Sequence, residues 1–134
     1  MDLGISGKRA AVAAASSGLG FASAAALAAE GVAVAICGRD RGRITDAAAR
    51  VGNGCVPLVC DVSTAAGGQA FIASAAEALG GVDIVVANAG GPPPGTFAST
   101  DIDLYPTALD LNLMSVVACA RQRFLPCSRS SGAG

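Results

Sequence analysis

The sequence contains no histidine, no tryptophan and no Cys-x-x-Cys pair, and it has one tyrosine and one lysine. Zinc sites in proteins are built from closely spaced histidine and cysteine ligands, so a zinc site is not expected. The cysteines are odd in number and widely spaced, which argues against a disulfide framework. We interpret them as apolar fillers and free thiols of a reducing compartment; they are Cys37, Cys55, Cys60, Cys119 and Cys127.

Charge is also scarce, at 14% of the residues with a net charge of -1. The cations form no run, and this excludes binding to nucleic acids or anionic membranes through a basic patch. Lys8 and Arg9 precede an alanine-rich stretch that superficially resembles a signal peptide. Ser16-Ser17-Gly18 interrupts this stretch, and no window is apolar enough to span a membrane. We therefore expect a cytoplasmic protein.

The chain, residues 1–134, is long enough for one globular domain. Short apolar runs alternate along it with helical patterns. Strands are predicted at 9–14, 32–36, 55–59 and 83–87, and helices at 19–30, 40–50, about 64–79 and from Pro106 onward. The continuous apolar character of the strands is typical of strands covered on both faces. In the last helix one side carries Leu109, Leu113, Val116, Val117, Ala120 and Phe124.

Alternating strands and helices predict an α/β fold, a doubly wound parallel sheet with helices on both faces in three layers. Ligands of such sheets bind at the carboxyl ends of the strands, near the point where strand order reverses. The loops that follow the four strands are therefore the candidate site.

The first of these loops is Ser16-Ser17-Gly18-Leu19-Gly20, at the start of the first helix. Its glycines allow the backbone to approach a pyrophosphate, which the free N–H groups and the helix dipole would stabilise. A serine and glycine turn of this kind also serves simply to cap a helix. Both interpretations stay open on this loop alone.

The other loops carry one polar signal each. Arg39, after the second strand, would favour the 2′-phosphate of a bound nucleotide, or it is a solvated arginine at a helix start. Asp61 would contact an adenine or cap the next helix. Asn88 would bridge neighbouring strands while Gly90 leaves room for a ribose, or both form a plain turn. Together, these weak signals at corresponding strand ends favour a nucleotide site.

The ordered segments ASSGLG, CGRD, CDVS, NAG and LNLMSV resemble the first half of a short-chain dehydrogenase/reductase. Within them, AASSGLGFA and NAGGPPPG are similar to a bacterial branch of 3-oxoacyl-carrier-protein reductase-like members. The resemblance covers nearly the whole chain. It implies a Rossmann-type NAD(P)-binding domain with about four of the usual seven strands.

The resemblance also implies a function: hydride transfer between a nicotinamide cofactor and a small-molecule carbonyl or alcohol substrate, with NADP preferred over NAD because of Arg39. Asn112 matches the family's catalytic asparagine, which holds a water of the proton relay. The last helix commonly forms subunit contacts in the family, which implies a homo-oligomer. The implied cofactor-binding residues are Ala14, Ser16, Ser17, Gly18, Leu19, Gly20, Arg39, Asp61, Val62, Asn88, Ala89 and Gly90.

The sequence departs from the family pattern at two places. Ala13 and Ala14 replace the threonine and the first glycine of the family's glycine motif, and a methyl group at Ala14 narrows the tight turn. The catalytic serine and the Tyr-x-x-x-Lys pair of the family have no counterpart. Tyr105 has no lysine four residues later, and Lys8 precedes the first strand.

After Phe124 the sequence CSRSSGAG follows Leu125-Pro126 and loses the helical pattern where a fifth strand is expected. We interpret the chain as a truncated family member that lacks catalytic machinery, with the fourth strand left as a sheet edge. Two alternatives stay open. One is a dinucleotide-binding module without catalysis, and the other is a non-functional remnant that associates through the exposed edge.

Overall fold

Four parallel strands form the central sheet, in the order β3 (Val56–Val59), β2 (Ala33–Gly38), β1 (Arg9–Val12) and β4 (Ile84–Val86). The computed structural model describes residues 1–124, so the expected loss of pattern after Phe124 lies outside them. Register pairs Ala10 with Val34 on one side and with Ile84 on the other. The predicted doubly wound parallel sheet is confirmed, and the strand order reverses between β1 and β4.

Three long helices connect the strands: α1 (Gly18–Ala29), α2 (Arg41–Val51) and α3 (Ala65–Leu79). The Asp40 carboxylate caps α2 by accepting the N–H of Arg43 at 2.8 Å. The Thr64 hydroxyl caps α3 by accepting the N–H of Gly67 at 3.1 Å. Gly80, in the left-handed conformation at φ 78°, ends α3.

The core lies on both faces of the sheet because alternate residues of each strand point in opposite directions. One face packs β1 residues Ala10 and Val12 with α1 and α2. The opposite face packs Ala11 of β1 and Ala13, which follows β1, with α3 and with Cys119 of the last helix. Helices thus cover both faces, as the sequence predicts.

Coverage of the sheet is not uniform. The inner strands β1 and β2 are almost fully buried, whereas β3 alternates between half-buried and exposed residues and β4 is half-buried throughout. This burial of β4 agrees with the expectation that the fourth strand is left as a sheet edge, whereas coverage on both faces is wrong for β3. Both are outer strands. They lie at the edges of the described sheet, where a neighbouring strand covers one side only.

The segment after β4 folds into one turn of 3₁₀ helix (Ile102–Leu104), α4 (Tyr105–Leu109), a π-helical turn (Asp110–Met114) and α5 (Ser115–Phe124). Its buried side is Ser115, Ala118 and Cys119, which faces Gly68 of α3. Most of the predicted apolar stripe is exposed, Phe124 at 77% and Leu113 at 54%. Small residues, not the apolar stripe, make the contact because α3 presents a glycine there. Within residues 1–124, no helix is both long and apolar enough to cross a membrane.

An ion pair ties β1 to the start of β4 at the end of the sheet opposite the candidate loops. Arg9 Nε donates to Asp83 Oδ2 at 2.9 Å, and the second terminal nitrogen (Nη2) donates to Oδ1 at 3.0 Å. Its Nη1 donates to the carbonyl of Gly80 at 2.6 Å. The hydrogen bonds from the Arg9 side chain lower the pKa of Asp83 from 3.8 to about 2.

We expect Asp83→Asn to lower the melting temperature at neutral pH and to lose this effect in acid. Because the pKa of Asp83 is depressed in the folded state, its stabilising effect is fully present above about pH 4 and disappears as the pH falls through about 2. Thermal unfolding followed by circular dichroism from neutral pH down to about pH 2 measures this. Asp46→Asn, on the exposed face of α2, is the charge-matched control. A difference between wild type and Asp83→Asn that stays constant across this range would contradict the assignment.

Candidate functional site

A cleft of about 570 Å³ opens at the carboxyl ends of the four strands. Every one of the predicted loops contributes to its wall. All predicted cofactor-binding residues except Gly20 line it. The lining residues that the sequence interpretation did not name are Gly38, Arg43, Cys60, Ser63, Gly91 and Leu111.

The turn after β1 forms one wall of the cleft. Ala14 has φ 48° and Gly18 has φ 62°, so both occupy the left-handed region that favours glycine. An alanine in this conformation costs on the order of 1 kcal/mol. The tight turn nevertheless forms, because Ala13 N–H donates to Val86 O at 3.0 Å and Ala15 N–H donates to Cys37 O at 2.9 Å.

The amino end of α1 faces this cleft without a capping side chain. Ser17 is the N-cap residue, but its hydroxyl accepts no N–H of the helix, and the first turn carries no acidic residue. Ser16, Ser17, Gly18 and Leu19 all line the cleft. The Ser17 side chain therefore does not cap α1, so that alternative is wrong, and no capping side chain satisfies the first N–H groups of the helix.

Asn88 joins the ends of β4 and β1 beneath that turn. Its Nδ2 donates to Ala14 O at 3.1 Å and to Ala13 O at 3.3 Å, which is the strand bridge that the sequence interpretation considered. Gly20 packs directly against this turn, on the side away from the cleft. A Cβ on Gly20 would stand 2.6 Å from Ala14 O and 2.8 Å from Asn88 Nδ2. Gly20 thus shapes the turn from behind without lining the cleft.

Two arginines mark the end of β2. Arg39 follows the buried Gly38, and Arg43 lies one turn into α2. Sequence reasoning named Arg39 and missed Arg43. Helical spacing gives no signal for this pair, because Arg39 precedes the N-cap residue Asp40 and only Arg43 lies in the helix.

The loop after β3 supplies the acidic group of the cleft. Hydrogen bonding from Ser63, whose main-chain N–H donates to Asp61 Oδ1 at 3.0 Å, lowers the pKa of Asp61. Burial raises the pKa of the neighbouring Cys60 thiol. Asp61 does not cap α3, because Thr64 does, so that alternative is wrong.

Asn112 lies next to the cleft but is not part of its wall. It sits in the π-helical turn, is exposed, and its Nδ2 donates to Ala108 O at 3.0 Å. The preceding residue, Leu111, lines the cleft. Short π-helical turns inside α-helices occur frequently at functional sites.

Leu111 and Gly91 also line a second, mostly apolar cleft of about 450 Å³. It lies between the proline-rich loop and α4, with Phe97, Leu104 and Tyr105 in its wall. Tyr105, the only tyrosine, therefore faces this second cleft and not the space between the strand ends. Sequence reasoning gave no hint of this cleft, because its wall is a loop whose conformation no periodicity describes.

Comparison with known proteins gives a consistent result. The sequence profile described as short chain dehydrogenase matches residues 8–133. A rhamnolipid-biosynthesis 3-oxoacyl-[acyl-carrier-protein] reductase of Pseudomonas aeruginosa is 31% identical over 129 residues, which are 95% of this chain and 50% of that protein.

Two solved structures are similar in fold and sequence. L-Sorbose reductase from Gluconobacter frateurii, in complex with NADPH and L-sorbose, superposes with a TM-score of 0.84 at 33% identity and covers 92% of this chain and 49% of that one. A short chain dehydrogenase from Burkholderia cenocepacia, in complex with NADP, gives 0.81 at 30% identity and covers 90% and 51%. The chain spans about half the length, or less, of the curated relatives that it matches.

Proposed function

This chain belongs to the short-chain dehydrogenase family, and on that premise we propose that its main cleft binds NADP(H) for hydride transfer to or from a small carbonyl or alcohol compound. NADP(H), when bound, supplies or accepts the hydride. The chain's own residues bind and orient the nucleotide. Relatives from the same family that were solved with NADP or NADPH support this choice of cofactor.

One observation carries the proposal: a single cleft gathers an uncapped helix amino end, an arginine after β2, a carboxylate after β3 and an open glycine edge after β4. A Cβ added to Gly90 or Gly91 would meet no atom within 4 Å, so the backbone there leaves space for a ligand to approach closely. The residues present therefore fit a dinucleotide.

Each wall has a proposed role. The N–H groups from Ser16 to Leu19 hold the pyrophosphate at the positive end of α1. Arg39 holds the 2′-phosphate, and Asp61 with Val62 contacts the adenine. The Asn88 to Gly90 segment borders a ribose, with the Asn88 amide fixed by its two carbonyl partners.

The proton of the reaction has no evident donor among the groups that line the described cleft. Among the groups of the cleft, the Asp61 pKa is lowered and the Cys60 pKa is raised. A general acid needs a pKa near the working pH. Asn112, as the proposed holder of a relay water, would position a proton path but would not supply the proton.

A second candidate, nucleotide binding without catalysis, is favoured by the positions of the only tyrosine and the only lysine. Tyr105 lines the second cleft, and Lys8 precedes β1, at the end of the sheet opposite the candidate loops. Under this candidate the purified chain binds NADPH but does not oxidise it in the presence of carbonyl compounds. NADPH consumption followed by absorbance separates the two candidates.

Arg39→Ala tests the cofactor assignment. We expect the dissociation constant for NADPH to rise about tenfold or more, because a charge-assisted contact to the 2′-phosphate is lost. The constant for NADH should change by less than about twofold, since NADH lacks that phosphate. Titration followed by nicotinamide fluorescence measures both.

Arg41→Ala is the matched control, because Arg41 lies in the same loop-to-helix segment but does not line the cleft. Equal losses for NADPH and NADH would show that Arg39 supports the cleft generally and does not read the phosphate. A folded wild-type chain that binds neither nucleotide would overturn the proposed function.

A further inference from the structure

We propose that Arg43 acts with Arg39 as a second arm on the 2′-phosphate of NADP(H) and is a specificity-determining residue of the cleft. This inference rests on the proposed function. It concerns a residue on α2, a helix that the sequence motifs of the nucleotide site do not reach.

The first observation is that Arg39 and Arg43 line the same cleft although they come from different elements. Arg39 is in the loop that follows β2, and Arg43 is in the first turn of α2. Arg41, between them, does not line it. The lining thus separates Arg39 and Arg43 from Arg41, although Arg39 precedes the N-cap residue Asp40 and only Arg43 lies in the helix.

The second observation is that the main chain of Arg43 is held at the start of α2. The carboxylate of Asp40 accepts the main-chain N–H of Arg43 at 2.8 Å, which ties the first turn of α2 to the loop that carries Arg39. Gly38 is buried under the same turn. A Cβ on Gly38 would lie 3.3 Å from Ile44 Cδ1 and 3.5 Å from Ser16 Cβ. The start of α2 is therefore packed against the end of β2 and the first turn.

The third observation concerns charge. In the described part of the chain neither Arg39 nor Arg43 has a carboxylate within 4.0 Å, and the ion pair found there joins Arg9 to Asp83. Asp61 is the acidic residue among the described residues that line the cleft, and its Oδ1 accepts the N–H of Ser63. The Asp40 carboxylate is engaged by the start of α2 and does not line the cleft. The lining residues Arg39, Arg43 and Asp61 therefore leave a net positive charge there.

A ribose 2′-phosphate matches that charge. A phosphate monoester carries between about 1.5 and 2 negative charges at neutral pH, more than one guanidinium neutralises. Two arginine forks can each donate two parallel hydrogen bonds to its oxygens. NAD(H) has a hydroxyl at the same place, so the second arm should matter for NADP(H) alone.

The experiment compares wild type, Arg43→Ala, Arg43→Lys and Arg41→Ala in titrations with NADPH, NADH, 2′-AMP and 5′-AMP. For Arg43→Ala we expect the dissociation constants of NADPH and 2′-AMP to rise about tenfold. NADH and 5′-AMP should shift by less than about twofold, and Arg41→Ala should behave as wild type. Arg43→Lys keeps the charge without the fork and should fall between wild type and Arg43→Ala.

Circular dichroism melts of each variant establish that the chain remains folded, so that a loss of binding is read from folded protein. Two results would overturn the inference while the proposed function stands. One is that Arg43→Ala has the same dissociation constants as Arg41→Ala. The other is that Arg43→Ala weakens the binding of NADPH and of NADH by the same factor. Binding of 2′-AMP but not of NADPH by the wild type, weakened in Arg43→Ala, would overturn the proposed function and support the two-arginine subsite. A folded wild type that binds none of the four compounds would overturn both.

Discussion

Gly20→Ala should cost about 3 kcal/mol of folding free energy and most of the affinity for NADPH. Its new Cβ would stand 2.6 Å from the carbonyl oxygen of Ala14, 2.8 Å from Asn88 Nδ2 and 3.0 Å from Ala15 Cα. Two of these neighbours are main-chain atoms of the tight turn, and the third is the amide that joins β4 to β1. Relief requires the turn itself to move, and the turn is the proposed pyrophosphate wall.

Gly18→Ala is the matched control for this effect. Gly18 begins the same helix and lines the cleft, yet a Cβ there would meet no atom within 4 Å. Its φ of 62° makes alanine strained by on the order of 1 kcal/mol without a steric clash. Urea unfolding and NADPH titration of both variants measure the difference. A Gly20→Ala protein as stable as the Gly18→Ala protein would contradict the packing described at the turn.

The second large effect is expected at Gly67, in the first turn of α3. Gly67→Ala should destabilise the fold by about 3 kcal/mol or more, because its Cβ would overlap the main-chain carbonyl oxygen of Asp61. The N–H of Gly67 is also the group that the Thr64 hydroxyl caps. The helix start and the loop after β3 cannot separate without breaking that cap, so Asp61 would be displaced from the cleft.

Gly42→Ala is the control, since Gly42 occupies the first turn of α2 as Gly67 does in α3. A Cβ on Gly42 would meet only Asp40 Oδ1, at 3.4 Å, which is an ordinary contact. Alanine in a helix is favoured over glycine by about 1 kcal/mol, so this variant should be slightly more stable than wild type. Urea midpoints of the two variants test the contrast. Similar urea midpoints for Gly67→Ala and wild type would contradict this prediction, because they would show that the loop after β3 moves away from the new Cβ at little cost in stability.

The sheet could be predicted from the sequence because the continuous apolar composition of its inner strands indicates that they are buried. Val32 to Ile36 is continuously apolar, and β2 (Ala33–Gly38) forms there and is almost fully buried. The outer strands have a similarly apolar composition but are less buried. Leu58 is half-buried and Val59 is exposed, because exposure of an edge strand depends on which strand lies beside it. Strand composition does not contain that information.

The last helix shows the other limit of periodicity. Leu109, Leu113 and Phe124 keep helical spacing, yet the side that packs on α3 is made of Ser115, Ala118 and Cys119. Contact with Gly68 decides this, and the pairing of two helices distant in sequence leaves no local pattern. The π-helical turn at Asp110–Met114 is likewise a product of tertiary structure.

The site was more predictable than the helix packing, because a parallel sheet brings its strand ends together whatever the details. That rule predicts that Ser16, Arg39, Asp61 and Asn88 surround one cleft, and the structure places all four in its wall. It could not place Gly67, whose importance arises from a close approach to the Asp61 carbonyl. Nor could it separate Arg43 from Arg41, a distinction that depends on the direction of the first turn of α2.

Helix α1 packs on the sheet through a row of small residues, glycine and alanine. Its fully buried positions are Gly20, Ala24 and Ala28, one every fourth residue, while Phe21 and Leu27 are half-buried at the margins. Methyl groups lose no rotamer freedom when they dock, but they also interlock weakly, and they offer little resistance to sliding along the helix axis. The axial position of α1 is therefore fixed by contacts at its two ends. At the amino end Gly20 packs under Ala14 and Asn88, and at the carboxyl end Asn53 Nδ2 donates to Ala28 O at 3.3 Å.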